Sequence, residues 1–282
     1  MDETIYSGMK FRFLDEMRSR VLVFDGAMGT SIHQRDLDVH ADYCGCENCT
    51  DILVKSRPDV IREIHESFLA VGADCIETDS FGANTLVLSE FGIADETYAL
   101  NKLAAEVGRA ACDRFSTKDK PRFVVGSMGP GTKLVTLGNT TWEAMFDSYR
   151  EQARGLIDGG ADAFIIETCQ DLLQVKCAIN AVLAALKERN KTPEELPIMA
   201  SVTIETTGTM LLGTEIAAAA MALAEYPICS LGLNCATGPT EMGEHIHWLG
   251  KHWDVAAYDI WVAEQIDLNV GDTGRHQIGG PA

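Results

Sequence analysis

Residues 72–78 read Gly-Ala-Asp-Cys-Ile-Glu-Thr and residues 160–168 read Gly-Ala-Asp-Ala-Phe-Ile-Ile-Glu-Thr, so one small unit occurs twice at a wide interval. In each copy a glycine turn leads into a short apolar run that ends on an acid and a threonine, Glu77-Thr78 and Glu167-Thr168. An apolar run without alternation, bounded by turn residues, predicts a strand buried on both faces, as in a parallel sheet. Four further runs have the same character: 21–25 (VLVFD), 122–127 (RFVVGS), 197–204 (PIMASVTI) and 229–234 (CSLGLN).

The segments between these runs carry helical spacing. The clearest is 142–157, where Trp142, Met145, Phe146, Tyr149, Ala153, Leu156 and Ile157 form one stripe, and Gly159-Gly160 ends the helix. Repeated strand and helix units imply right-handed crossovers, and six of them, ending in a helix near 240–250, predict an α/β fold of the (β/α)8 TIM barrel kind. After Asp254 the text offers one strand near 255–263 and no candidate for an eighth, so the barrel is expected to be incomplete at strands 7–8. The edges of strands one and six would then stay unpaired, which predicts association and poor solubility.

Composition narrows the function classes. The chain of 282 residues has 42 acidic against 23 basic side chains, a net charge of −19 that repels phosphate backbones and anionic lipid. Nucleic acid and membrane are therefore not expected as partners. No apolar stretch approaches the ~20 residues that cross a bilayer, and Asp2, Glu3, Asp15 and Glu16 interrupt the start of the chain, so no leader is expected. Nine cysteines, odd in number and scattered, fit free thiols in a reducing, cytoplasmic setting.

In barrels the chemistry gathers where strands end. Asp25-Gly26-Ala27-Met28-Gly29-Thr30 follows the first strand; its glycines let backbone N–H groups approach a small anion, while Asp25 can accept from an ammonium. A tight turn with a solvated Asp is the competing reading. Glu77 and Glu167 end apolar strands and point toward such a site, with structural ion pairing as the alternative. Cys235, in Gly232-Leu233-Asn234-Cys235, is a metal ligand or nucleophile on one reading and a small buried hydrophobe on the other. Cys44, Cys46 and Cys49 could seed a zinc site, but they lack a second pair at finger-like spacing and read better as oxidation-prone loop thiols. His245, His247 and His252 fall on or just after the last helix and read as solvated. Gly129-Pro130-Gly131-Thr132 reads as a turn, with anion binding as its alternative. A Schiff-base aldolase needs a strand-end lysine, and none of the six strands has one.

Taken together, the blocks DGAMGT, ETDSFGAN, GSMGPGTKL, SYREQARGLIDGGAD, IETCQDLLQVK, SVTIETTGTMLLGTEIAA and GLNCATGPTEM resemble the homocysteine S-methyltransferase family. Within it, they are similar to the N-terminal homocysteine-binding barrel of the cobalamin-dependent methionine synthases. The resemblance runs from about Val21 to Asp254. It implies residues 1–254 as a homocysteine-binding barrel and 255–282 as a divergent tail.

The resemblance further implies zinc-dependent methyl transfer to the sulfur of homocysteine. Asp25 and Glu167 would hold the substrate ammonium, the backbone at Gly26 and Ala27 its carboxylate, Glu77 and Asn234 would line the pocket, and Cys235 would ligate zinc. Methylcobalamin, recharged from methyltetrahydrofolate, would be the donor, carried by cobalamin- and folate-binding modules outside this chain. The family's remaining zinc ligands come from an adjacent cysteine pair in a Gly-Gly-Cys-Cys block. Here that place reads Gly279-Gly280-Pro281-Ala282, with no cysteine after Cys235. The expectation is therefore an altered or truncated C-terminal end, as a reading-frame change near Asp254 would produce, and a remnant that binds homocysteine without activating it is the alternative.

Overall fold

The computed structural model describes residues 12–253, 256–259 and 276–277. A short helix α1 (Arg12–Ser19) precedes β1 (Val23–Phe24), and α2 (Met28–His33), α3 (Leu53–Ser56) and α4 (Pro58–Val71) lead to β2 (Cys75–Glu77). Then come α5 (Thr85–Leu88), α6 (Thr97–Phe115), β3 (Phe123–Met128), α7 (Trp142–Gly159), β4 (Ala163–Cys169) and α8 (Leu172–Glu188). The chain continues through β5 (Ile198–Val202), α9 (Ile216–Leu223), β6 (Ser230–Leu233), α10 (Pro239–His252), β7 (Ala256–Asp259) and β8 (His276–Gln277).

The strands form one closed ring in sequence order. All six apolar runs of the sequence become strands, and β1 to β7 pair in parallel. The ring departs from a (β/α)8 barrel at its eighth place, where the two residues of β8 run antiparallel to both β1 and β7. β7 falls inside the stretch expected to hold a strand. The expected bare edges are not found: β7 covers β6 and β8 covers β1. The Gly279-Gly280-Pro281-Ala282 stretch lies outside the described residues.

The repeated Gly-Ala-Asp unit has one physical job in both places. Gly72 (φ 115°) and Gly160 (φ 93°) end α4 and α7 in the left-handed conformation that favours glycine. The aspartate two residues on then accepts from the neighbouring strand's backbone: Asp74 Oδ2 from Val23 N at 3.0 Å, Asp162 Oδ2 from Val124 N at 2.8 Å. Each is also paired with an arginine, Arg20 at 2.9 Å and Arg109 at 2.7 Å. The echo seen in the sequence is a device for starting a strand at a fixed height.

Strand periodicity then sorts side chains between two layers. Phe24, Cys75, Phe123, Val125, Ala163, Ile165 and Met199 cluster with Phe13, Leu14 and Met17 of α1. Phe13 meets Phe123 edge-on at 5.3 Å, so α1 plugs the N-terminal end of the barrel. The alternate residues Phe164, Ile166, Ile198 and Ala200 pack outward against the helices. Carrying the inward set two residues further along each strand reaches Glu77, Ser127, Glu167 and Ser201. The barrel is thus apolar at its base and polar at its C-terminal mouth.

Candidate functional site

Asp25 follows β1 and is buried; its backbone N–H donates to Cys75 O at 2.9 Å, and its Oδ1 accepts from Glu77 N at 2.9 Å. Burial raises its carboxyl above the ordinary 3.8, an effect opposed by the nearby His65 and by the Glu77 N–H. Gly26 and Ala27 follow, with Ala27 in the left-handed region (φ 48°) as it caps α2. This is an unusual place for a residue with a Cβ, and it turns the chain sharply at the mouth.

The second half of the site is built on β4 and β6. Glu167 is buried, with Oε1 accepting from Ser127 Oγ at 2.6 Å and Oε2 from Asn234 Nδ2 at 3.2 Å. Asn234 is fully enclosed. Its Oδ1 accepts from Thr168 N at 2.9 Å and Ser201 Oγ at 2.7 Å, and its Nδ2 also donates to Thr168 Oγ1 at 2.7 Å. Cys235, half-buried, has its Sγ 3.5 Å from Asn234 Nδ2 and 3.7 Å from Thr168 Oγ1. Thr168 (φ 56°), Cys235 (φ 60°) and Ala236 (φ 59°) all adopt left-handed backbone, so the chain is bent at both strand ends that face each other. Such strain concentrates at functional positions.

Ser127 and Thr78 join the halves. Ser127 N donates to Thr78 Oγ1 at 3.0 Å, and Thr78 directly follows Glu77, whose N–H holds Asp25. A path of hydrogen bonds and one peptide link therefore runs from Asp25 through Glu77-Thr78, Ser127, Glu167 and Asn234 to Cys235. Ser127, Ser201 and His65 were not singled out from the sequence. The signal for the serines was a hydroxyl at an inward position of an apolar strand.

The other sequence candidates lie elsewhere. Cys46 and Cys49 are not loose loop thiols but buried members of a satellite core with Ile32, Tyr43, Ile52 and Leu53, while Cys44 is exposed. Burial, and then the charge of Asp51, pushes the Cys49 thiol up to about 12. His252 stacks on Trp248 with ring centroids 4.6 Å apart. The Gly129-Pro130 carbonyls accept from Tyr149 Oη at 2.9 and 3.1 Å, tying that loop to α7.

A protein-held zinc ion takes three or four nitrogen, sulfur or oxygen ligands. Among the described residues no three His, Cys, Asp or Glu side chains gather into a group that could hold a metal. Cys235 stands beside an amide and a hydroxyl, so the described residues do not fit zinc by themselves. Among the described residues, too, no helix is long and apolar enough to cross a membrane.

A parallel barrel that converges carboxylates, an amide and a thiol at the C-terminal ends of its strands has the layout of a barrel enzyme. The chain matches the homocysteine S-methyltransferase family over residues 22–270, and it belongs to that family. It is 46% identical over 239 residues to the methionine synthase of Mycobacterium tuberculosis (strain ATCC 25618 / H37Rv), an alignment covering 85% of this chain and 20% of that protein. Identity and coverage are the same for the methionine synthase of Mycobacterium leprae (strain TN). The chain thus spans about a fifth of the length of these relatives. In fold it is similar to the homocysteine methyltransferase MmuM of Escherichia coli in its metallated form, with a TM-score of 0.70 at 22% identity, covering 89% of this chain and 85% of that one.

Proposed function

We propose that the mouth of this barrel binds homocysteine and presents its sulfur for methylation to methionine. Asp25 and Glu167 receive the ammonium, the backbone at Gly26 and Ala27 receives the carboxylate, and Glu77 and Asn234 brace the pocket. Cys235 stands on the sulfur side as the one zinc ligand this set supplies. The observation that carries the reading is the path of hydrogen bonds and one peptide link that joins Asp25 to Cys235, in a chain of this family. On the same reading residues 1–254 are the homocysteine-binding barrel and 255–282 a divergent segment. The cytoplasm, which keeps thiols reduced, suits a chain with nine cysteines.

Only a thiolate attacks a methyl group well, and a thiol of pKa ~8.5 is a few per cent ionised at pH 7, a deficit of roughly 2 kcal/mol. In the proposed scheme zinc supplies that ionisation when bound. Methylcobalamin, with methyltetrahydrofolate upstream, supplies the methyl group from further modules or chains. The single sulfur ligand favours a second reading, in which this chain captures homocysteine without activating it. Elemental analysis of the purified chain, paired with calorimetric titration of L-homocysteine and of 4-mercaptobutyrate, which lacks the ammonium, separates the two. Stoichiometric zinc lost on Cys235→Ala supports the methyltransferase, and metal-free protein that still prefers homocysteine supports capture alone. Equal affinity for both ligands, or none for either, overturns the site.

A further inference from the structure

His65 lies in α4, on the face it shares with the buried Val60, Ile61, Ile64 and Leu69. It is wholly enclosed, and neither ring nitrogen has a hydrogen-bond partner among the described residues. A leucine would fill that stripe without cost, whereas a buried, unpartnered imidazole costs free energy. Something other than packing must account for a ring with two polar atoms there. Its Nδ1 lies 3.5 Å from Asp25 Oδ2, a long approach between two groups that are both shut off from water. Asp25 Oδ1 is already taken by the Glu77 N–H at 2.9 Å, which leaves Oδ2 as the oxygen facing the imidazole.

We propose that His65 is a positioning residue whose Nδ1–H holds Oδ2 of Asp25, keeping that carboxylate ionised and fixed in place at the end of β1. The proposal rests on the reading of Asp25 as a partner of the substrate ammonium. An aspartate that grips a cation must itself be an anion, and burial works against that for Asp25. The Glu77 N–H offsets part of this burden and the imidazole offsets more from the opposite oxygen. Held between a backbone donor and a ring donor, the carboxylate is fixed on two sides and presents its remaining lone pairs in one direction. His65 itself touches no reacting atom.

The test uses the full chain. His65→Asn keeps an N–H donor near the place of Nδ1, and His65→Leu removes it at similar volume. Calorimetric titrations with L-homocysteine and 4-mercaptobutyrate are run on both variants, on Asp25→Asn, and on Asp25→Asn combined with His65→Leu. His65→Leu is expected to weaken homocysteine at least tenfold and 4-mercaptobutyrate less than twofold. His65→Asn is expected to return to within threefold of the parent, and the His65→Leu effect is expected to vanish in the Asp25→Asn background. Loss of both ligands alike, or a His65→Leu effect that persists in full without the Asp25 carboxylate, overturns the proposal.

Should His65→Leu not fold, nitrogen-15 spectra of the histidine rings decide with no ligand present. The Nδ1 resonance absent in His65→Asn is expected to shift in Asp25→Asn, and an unmoved resonance overturns the proposal. If Asp25→Asn leaves homocysteine affinity unchanged while that resonance moves, the ammonium reading fails and the His65–Asp25 link stands.

Discussion

Asn234 Nδ2 donates to Glu167 Oε2 at 3.2 Å, a bond that reaches from the end of β6 to the end of β4 across the strand between them. That intervening strand takes part: Ser201 of β5 donates to Asn234 Oδ1 at 2.7 Å. Three consecutive strand ends are therefore locked by one amide, whose oxygen and nitrogen are both committed. The lock leaves Glu167 a carboxylate with a fixed direction rather than a swinging side chain. Cys235, next in sequence, inherits its position from the same amide.

Asn234→Asp tests that lock. The carbonyl-like oxygen survives, but the donor facing Glu167 becomes a second carboxylate in a site closed to water. Replacing the donor to a buried carboxylate by a second acid is expected to cost about 3 kcal/mol or more at neutral pH. One of the two acids regains a donor when protonated, so the penalty shrinks as pH falls. Chemical unfolding at pH 7.5 and pH 5 reads both effects. An equal penalty at the two pH values contradicts the arrangement.

Glu167→Gln separates binding from folding. Glutamine still accepts from Ser127, so the loss in stability is expected to stay near 1 kcal/mol, the net worth of one buried hydrogen bond. Removing one of two negative charges around an ammonium is expected to weaken L-homocysteine tenfold or more and to spare 4-mercaptobutyrate. Titration of both ligands, alongside a thermal melt, checks this. Unchanged preference for homocysteine would take Glu167 out of the substrate site.

How much of this was legible beforehand follows from residue type. The six parallel strands stand out because strands buried on both faces are apolar throughout, and Asp25, Glu77 and Glu167 stand out because each is a charge at the end of such a run. Ser127 and Ser201 pass unnoticed, since a small hydroxyl in an apolar strand is tolerated anywhere and gains meaning only from the inward register. His65 is far from Asp25 in sequence and sits on a helix, so only the fold brings the two together. Cys46 and Cys49 mislead because cysteine serves equally as ligand and as small hydrophobe. β8 has two residues, too few to carry any pattern.

Asp51 and Asp79 predict a pH dependence of stability. Asp51 is buried, its Oδ1 accepting from Gly82 N at 2.9 Å, and burial pushes its carboxyl from 3.8 up to about 6. Burial and then the charge of Asp51 raise Asp79 as well. A folded value above the unfolded one means that the folded state binds more protons in this window. The contribution is complete below pH 3.8 and is lost as pH rises through about 6. Asp51→Asn still accepts from Gly82 and carries no charge, so guanidinium unfolding at pH 7.5 should show a gain of about 1–3 kcal/mol and a flatter profile from pH 4 to 7. A profile that falls as steeply as the parent's removes Asp51 as its source.

Gly155 and Gly243 should respond to the same substitution with opposite sign. Both lie within helices, where alanine is favoured over glycine by about 1 kcal/mol. At Gly243 an added Cβ meets nothing within 4 Å, so Gly243→Ala is expected to stabilise by about 0.5–1 kcal/mol. At Gly155 it would lie 2.5 Å from the backbone oxygen of Tyr98 and 2.7 Å from Asn101 Cβ, because α7 packs against α6 at that point. Backbone cannot step aside as a flexible side chain does. Gly155→Ala must push the helices apart or strain them, at an expected net cost of about 1–3 kcal/mol. Asn101, moved with its helix, would loosen its bond to Ala83 O at 2.7 Å, in the loop that follows β2. Unfolding free energies of the two variants settle the matter together: a gain at both positions would mean that α6 and α7 stand further apart than this packing requires.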